Sequence, residues 1–233
     1  MSYYNNINQT ILDLISPFAS SVCEFGCGAG ALARAAKSRN PDLYYVGVEI
    51  AEDQLSLARD VLDVGLTRNL DILGKWSDDA ELSKRLPHGF FDHIIFGDVL
   101  EHLYDPKRSL IEAVKCLKPA GTALICIPNV QHWSVFANLV SGTWPQDDAG
   151  IFDRTHIRWF TLDDMIRLLT SSGLDVVSIH PRIFHDERGL SILEDLEAVA
   201  RNIGAQPERL LERGQVLQYV LVGRKSTSTQ SAQ

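Results

Sequence analysis

The sequence predicts an α/β fold: a doubly wound, mainly parallel sheet covered by helices on both faces. Three observations predict it. Short apolar runs alternate with amphipathic helical stretches along most of the 233 residues. The first run ends in an acid and breaks into three alternating glycines, Val22-Cys23-Glu24-Phe25-Gly26-Cys27-Gly28-Ala29-Gly30, just ahead of an alanine-rich helix. The second, Val46-Gly47-Val48-Glu49-Ile50, also ends in an acid.

Each element follows from its own pattern. Residues 5–16 place Ile7, Ile11, Leu12, Leu14 and Ile15 at helical spacing and stop at Pro17. Strands are expected at 21–25 and 44–49, separated by a helix over 29–38 that Asn40-Pro41 closes. Leu55, Leu57, Ala58, Val61 and Leu62 predict a helix over 53–64 with Gly65 as its stop. Residues 70–73 read as a weak third strand, 91–96 as the fourth and 122–127 as the fifth; the helix over 106–117 has Pro106 in its first turn. Residues 129–161 hold His132, Trp133, Phe136, Trp144, Phe152, His156, Trp159 and Phe160, and are expected to cover a ligand cleft. Thr161 caps a helix running to 171, with Asp163 and Asp164 favourable in its first turn. A sixth strand is expected at 174–179, one or two helices at 190–213 and a last strand at 218–223. The apolar stripe of 190–213 (Leu190, Ile192, Leu193, Leu196, Val199, Ile203) reads as packing, or as a homodimer contact or lid. The expected organisation is one unit over 1–224, with a ligand-binding half at 18–128, the cover at 129–161 and a disordered tail at 225–233.

Composition excludes several classes. Lys plus Arg is 22 against 30 Asp plus Glu, a formal charge of −8. No basic stripe is visible, which argues against a nucleic-acid partner. No run approaches the roughly 20 apolar residues of a membrane span. The polar start, Met1-Ser2-Tyr3-Tyr4, lacks a signal-peptide pattern, so the expected location is cytoplasmic. Cys23, Cys27, Cys116 and Cys126 sit in apolar surroundings without a second ligand pair and read as packing residues. The acids Asp78, Asp79 and Glu81 read as helix capping, so no metal ligands are assigned.

The glycine turn carries the chemistry. Glycine supplies left-handed dihedrals and a missing Cβ where backbone must approach a ligand. A carboxylate at Glu49 can accept both hydroxyls of a ribose. A nucleoside-bearing cofactor follows, in two versions. Gly26, Gly28 and Ala31 satisfy the nicotinamide fingerprint, which alone is weak evidence. Against it, Glu24 would repel a pyrophosphate but tolerate a ligand with an ammonium and a sulfonium.

Further motifs decide. Asp98-Val99-Leu100-Glu101-His102 follows the apolar strand that starts at Phe91-Asp92, and Leu117-Lys118-Pro119-Ala120-Gly121 opens the next. With the glycine turn and Glu49, these resemble, in order, the motifs of class I S-adenosylmethionine-dependent methyltransferases over roughly residues 20–180. Asp153-Arg154-Thr155-His156 with Trp159-Phe160-Thr161 is similar to the small-molecule methyltransferases associated with glycosyltransferases. The resemblance implies a Rossmann-like seven-stranded sheet whose last strand is antiparallel and lies beside strand six. It implies S-adenosylmethionine held by Gly26, Gly28 and Gly30 along its methionyl part, Glu24 near its amine, Glu49 and Ile50 at the ribose, and Asp98 and Val99 lining the cleft. Trp76 is a candidate for the adenine, or a surface residue. Ala120 departs from the glycine of many relatives; a turn is expected to absorb the change.

The expected acceptor is a small molecule, most simply a hydroxyl of a sugar or related metabolite. Nitrogen, carbon or protein side-chain acceptors stay open. A hydroxyl must lose its proton, and a positioned histidine contributes about 10²–10⁴-fold to such steps. His102, His132 and His156 are in contention; His156, oriented by Asp153, and His102 are preferred as catalytic residues. His88, His93, His180 and His185 read as structural or exposed. A dehydrogenase would need a Tyr-x-x-x-Lys pair or a comparable acid, which is missing, and an intact Glu49 argues against a binding-only subunit.

Overall fold

Alternate residues of the central strands go to opposite sides, so two apolar layers form. The computed structural model describes residues 7–72 and 74–227. One layer holds Phe25, Val46, Ile94, Phe96, Ile125 and Leu221; the other holds Val22, Tyr45, Ile95, Leu124 and Val220. The strands are β1 (Ser21–Phe25), β2 (Tyr44–Glu49), β3 (Val64–Thr67), β4 (Phe91–Gly97), β5 (Leu117–Pro128), β6 (Leu174–Ile183) and β7 (Val216–Lys225). They form one sheet in the order β3-β2-β1-β4-β5-β7-β6. β7 runs antiparallel to β5 and β6, and the pairings among β1 to β5 are parallel. This is the Rossmann-like arrangement the sequence predicts.

Helices cover both layers. Ile11 and Leu12 of α1 (Gln9–Leu14) and Leu32 and Ala33 of α2 (Ala31–Arg39) fill one side. Leu82 of α4 (Ala80–Arg85), Leu110 of α5 (Pro106–Cys116) and Met165 of α7 (Leu162–Ser171) fill the other. Thr161 and Asp164 form the full capping box that starts α7. Among the described residues no helix is long and apolar enough to cross a membrane.

The third strand corrects the sequence reading. α3 (Glu52–Ala58) ends early, and β3 begins at Val64, so Gly65 is a strand residue rather than a helix stop. Gly65 lies opposite Gly47, and the Leu55 side chain fills the space over it, 3.1 Å from where a Cβ would stand. Residues 70–72 instead turn, with Leu70 buried and Ile72 exposed; Leu73 lies outside the described residues. Helix α6 (Trp133–Val140), inside the aromatic excursion, is a second unforeseen element. At the C-terminus, Lys225 is not the start of a loose tail. It closes β7, and its ammonium donates to the carbonyls of Lys115 and Leu117. The rest of the expected tail, 228–233, lies outside the described residues.

The 190–213 stretch is two helices, α8 (Glu187–Asn202) and α9 (Pro207–Gly214). Leu193 is buried against Gly214, where a Cβ would come within 2.3 Å of it. Leu190, Val199 and Ile203 of the same stripe stay exposed.

The start of β5 does not absorb Ala120 freely. Between the pairs Phe91–Leu117 and His93–Thr122 the register slips, and Ala120 sits at φ +64°. A Cβ is strained there by roughly 1–2 kcal/mol. Ala120→Gly is expected to raise the melting temperature by about 2–4 °C in a thermal scan; an unchanged or lower value contradicts the strain.

Candidate active site

β1 and β2 end side by side, and the turn after β1 is built to let its neighbours in. Gly26, Gly28 and Gly30 have φ of +75°, +50° and +78°, in the region that glycine alone enters without cost. A Cβ on Gly26 would stand 2.4 Å from Val99 Cγ2, and one on Gly30 2.8 Å from the Ala58 Cβ. Gly26 N–H donates to the Val48 carbonyl at 2.7 Å. The Glu49 carboxylate then ties the turn to the start of α3: it accepts from the N–H groups of Gly28 and Ile50 at 2.8 Å and of Ala51 at 3.0 Å. The Ile50 side chain is exposed beside it. Glu24 is buried under the turn and accepts from the Tyr45 hydroxyl at 2.8 Å. Burial pushes its carboxyl up to about 7, against the Tyr45 bond, with the Glu49 charge adding to the rise.

The loop after β4 carries a second group. Asp98 takes φ +56°, its N–H donates to the Cys126 carbonyl, and its Oδ1 accepts from Gln218 Nε2 at 2.6 Å. The Gln218 oxygen is itself held by Arg182. Burial pushes the Asp98 carboxyl up to about 6. A 3-10 turn over Leu100–His102 follows, and Glu101 is 1% exposed. Among the described residues neither Glu101 carboxylate oxygen has a hydrogen-bond partner. Burial, with the charge of Asp98, drives its carboxyl well above the ordinary range.

The 129–161 excursion is clamped onto that loop. The N–H groups of Ile157 and Arg158 both donate to the Glu101 carbonyl at 3.0 Å, and Arg158 Nη2 donates to the Tyr104 carbonyl. This sets His156 Nε2 3.8 Å from Glu101 Oε1 and the His102 and His156 rings edge-on at 4.7 Å. His156 Nδ1 faces the Ile151 carbonyl at 3.1 Å. His102 Nδ1 faces the Thr155 carbonyl at 3.2 Å and Thr155 Oγ1 at 3.1 Å, while that hydroxyl donates to Asp153 Oδ1 at 2.6 Å. Both Nδ1 atoms therefore face acceptors and carry the proton, which leaves both Nε2 atoms with a lone pair. Burial, with His102 adding to it, lowers the His156 pKa.

Residues 4–179 match the family described as "Methyltransferase domain". The chain belongs to this methyltransferase family. It is 28% identical over 183 residues to a ubiquinone biosynthesis O-methyltransferase of Idiomarina loihiensis, covering 76% of this chain and 70% of that one. It is also 28% identical to a release factor glutamine methyltransferase of Aliivibrio fischeri, over 65% of this chain and only 53% of that protein. In fold it is similar to a SAM-dependent methyltransferase of Archaeoglobus fulgidus, with TM-score 0.62 at 16% identity over 95% and 96% of the two chains. It is likewise similar to one from Mesorhizobium loti, with TM-score 0.60 at 20% identity over 93% and 96%. The protein is an S-adenosylmethionine-dependent methyltransferase. The residues present fit that cofactor: a turn with three glycines at positive φ, and beside it the buried carboxyl groups of Glu24 and Glu49, suited to a cationic group and a ribose.

Some sequence-predicted residues land elsewhere. Trp76 is not a surface residue. It is 5% exposed in the core, its ring 5.1 Å from that of Phe25, because the 3-10 turn over Trp76–Asp78 folds it inward. His132 caps α6 through Ser134 and is not part of the pair that His102 and His156 form. Asp153 orients His102 through Thr155, whereas His156 is held by the Ile151 carbonyl. Asp79 caps α4 and pairs with Arg68, as the capping reading requires. Gln218 and Arg182 were invisible to motif reasoning because they meet Asp98 from β7 and β6, far along the chain. Sequence spacing shows no metal-ligand set, yet the fold brings ligand atoms of Glu101, His102 and His156 within 4.8 Å of one another.

Glu24 yields a stability test. Its folded pKa of about 7 lies above the ordinary 4.5. The stability it contributes is therefore complete below about 4.5 and is lost as pH rises through about 7. Glu24→Gln is expected to melt about 3 °C above wild type at pH 8, the difference closing by pH 5. A gap independent of pH would show that the carboxyl is not buried in this way.

Proposed function

We propose that the enzyme methylates a hydroxyl oxygen of a small molecule, a sugar or related metabolite, and that the hydroxyl proton is lost at the Glu101–His102–His156 cluster. The single observation behind this reading is that cluster: two imidazoles with free Nε2 lone pairs beside a buried carboxyl group that has no hydrogen-bond partner among the described residues. Val99, three residues before His102, packs on Gly26, so the cluster and the glycine turn share one wall. The named O-methyltransferase relative supports oxygen as the acceptor atom. The charge of −8 speaks against a nucleic-acid acceptor.

S-adenosylmethionine, when bound, supplies a methyl group on a positively charged sulfur. The turn of Gly26, Gly28 and Gly30 runs along its methionyl part, the Glu24 carboxylate meets its ammonium, Glu49 and Ile50 meet its ribose, and Asp98 and Val99 line the cleft. The carboxylate of Glu49 keeps lone pairs free beyond its three backbone donors. Orientation of the reacting groups in such sites contributes about 7–11 kcal/mol. Deprotonation is what the histidine cluster adds, because a neutral alcohol is a poor nucleophile.

Turnover is followed as S-adenosylhomocysteine formed with a panel of hydroxylated acceptors, nucleotide sugars included. His102→Ala and His156→Ala are each expected to lower kcat about 100-fold or more while S-adenosylhomocysteine affinity stays within about twofold. Unchanged turnover in both variants removes the cluster from the mechanism. Glu24→Gln is expected to weaken S-adenosylhomocysteine binding about tenfold by calorimetry; full affinity contradicts the ammonium contact.

A further inference from the structure

Glu101 is the most anomalous residue of the fold. A carboxyl group 1% exposed, whose two oxygens have no hydrogen-bond partner among the described residues, has lost its solvation with nothing in exchange unless a cation joins it. Its nearest cationic candidate, His156 Nε2, is 3.8 Å away, too far for a hydrogen bond. That distance instead suits two ligands on a shared centre roughly 2.0–2.2 Å from each. The third donor, His102, completes a set whose ligand atoms lie within 4.8 Å.

The surroundings of the two rings point the same way. Histidines that ligate metals almost always donate the other ring N–H to a carbonyl or carboxylate, which fixes the tautomer. Here His156 Nδ1 donates to the Ile151 carbonyl, and His102 Nδ1 faces the Thr155 carbonyl and a hydroxyl anchored on Asp153. The carboxylate and both imidazoles come from backbone that is itself locked, since the Glu101 carbonyl accepts from Ile157 and Arg158.

We propose that Glu101, His102 and His156 bind a divalent first-row transition metal ion, with positions left open for the acceptor oxygen. Two imidazoles and one carboxylate suit zinc, iron(II) or manganese(II) and disfavour magnesium, which prefers oxygen donors and water. Such an ion lowers the pKa of a bound hydroxyl: the O–H bond breaks, its electron pair stays on the metal-bound oxygen and the proton passes to water. This inference rests on the hydroxyl-acceptor reading and names the agent of deprotonation, making the two histidines ligands rather than bases.

The test is calorimetric titration of the chelator-stripped full chain with zinc chloride alone, and with cobalt(II) followed by its visible absorption bands. Wild type is expected to bind one ion per chain and to give cobalt bands. Glu101→Gln and His102→Ala are expected to lose affinity by at least about 30-fold, while His88→Ala, an exposed histidine elsewhere, keeps it. S-adenosylhomocysteine titration of every sample reports folding; should Glu101→Gln fail it, His102→Ala, whose ring is only half-buried, decides. Absence of stoichiometric binding in wild type, or unchanged affinity in the folded variants, overturns the metal site. Wild-type protein that binds zinc but methylates no hydroxylated acceptor instead overturns the acceptor reading and leaves the site standing.

Discussion

The contact on which the site depends is the one between Gly26 and Val99. The ends of β1 and β4 come so close that the Val99 side chain occupies the place of a Cβ at position 26. Parallel strands whose C-terminal ends meet in this way open a crevice there, and ligands of such sheets bind in it. Because Val99 belongs to the loop that continues through Glu101 and His102, whatever fixes the glycine turn also fixes that loop. Glu49 fixes the turn from the other flank through three backbone N–H groups. The two halves of the site are thus a single packed unit, set by missing side-chain atoms as much as by those present.

That unit gathers carboxyl groups where their charged form is disfavoured. Glu24, Asp98 and Glu101 are all driven upward by burial, to about 7, about 6 and well above the ordinary range. A fold selected for stability alone would place apolar groups there, since buried carboxylates gain little unless fully bonded. Each of the three has a different degree of compensation. Glu24 has one phenolic donor, Asp98 has Gln218 backed by Arg182, and Glu101 has none among the described residues. Perturbed acids gathered in one crevice are a mark of function.

The sequence made the cofactor half legible because its signals are local. β1 and β2 fall at the predicted residues, and the three glycines announce a backbone conformation that no other residue takes without strain. β3 was hidden because a glycine and a single buried residue, Leu66, give it no alternating pattern, and its stability comes from pairing with β2. The burial of Trp76 was hidden for a related reason: a lone tryptophan in a polar stretch carries no period, and only the turn around it decides that it faces Phe25. On the acceptor side the two histidines were legible as candidates, but their environment was not. Thr155 and Asp153 share a motif with His156, yet they serve His102, which lies more than fifty residues earlier. No spacing rule anticipates that crossing.

The crossing has a structural consequence. The aromatic excursion was expected to cover the cleft; it packs in part on itself, with Val135, Ile151 and Phe152 as a small core and Trp144 edge-on to Phe152 and Trp159. Its base is pinned where Asn129, fully buried, donates to the carbonyls of Arg213 and Val216. From this platform it supplies His156 and also the carbonyls of Ile151 and Thr155 that set the protonation of both rings. A segment outside the sheet therefore dictates which nitrogens carry a lone pair, while the turn after β4 supplies Glu101. Because those carbonyls belong to the excursion, a substitution there can reset the protonation of both rings while the contacts of Glu49 with the glycine turn stay as they are.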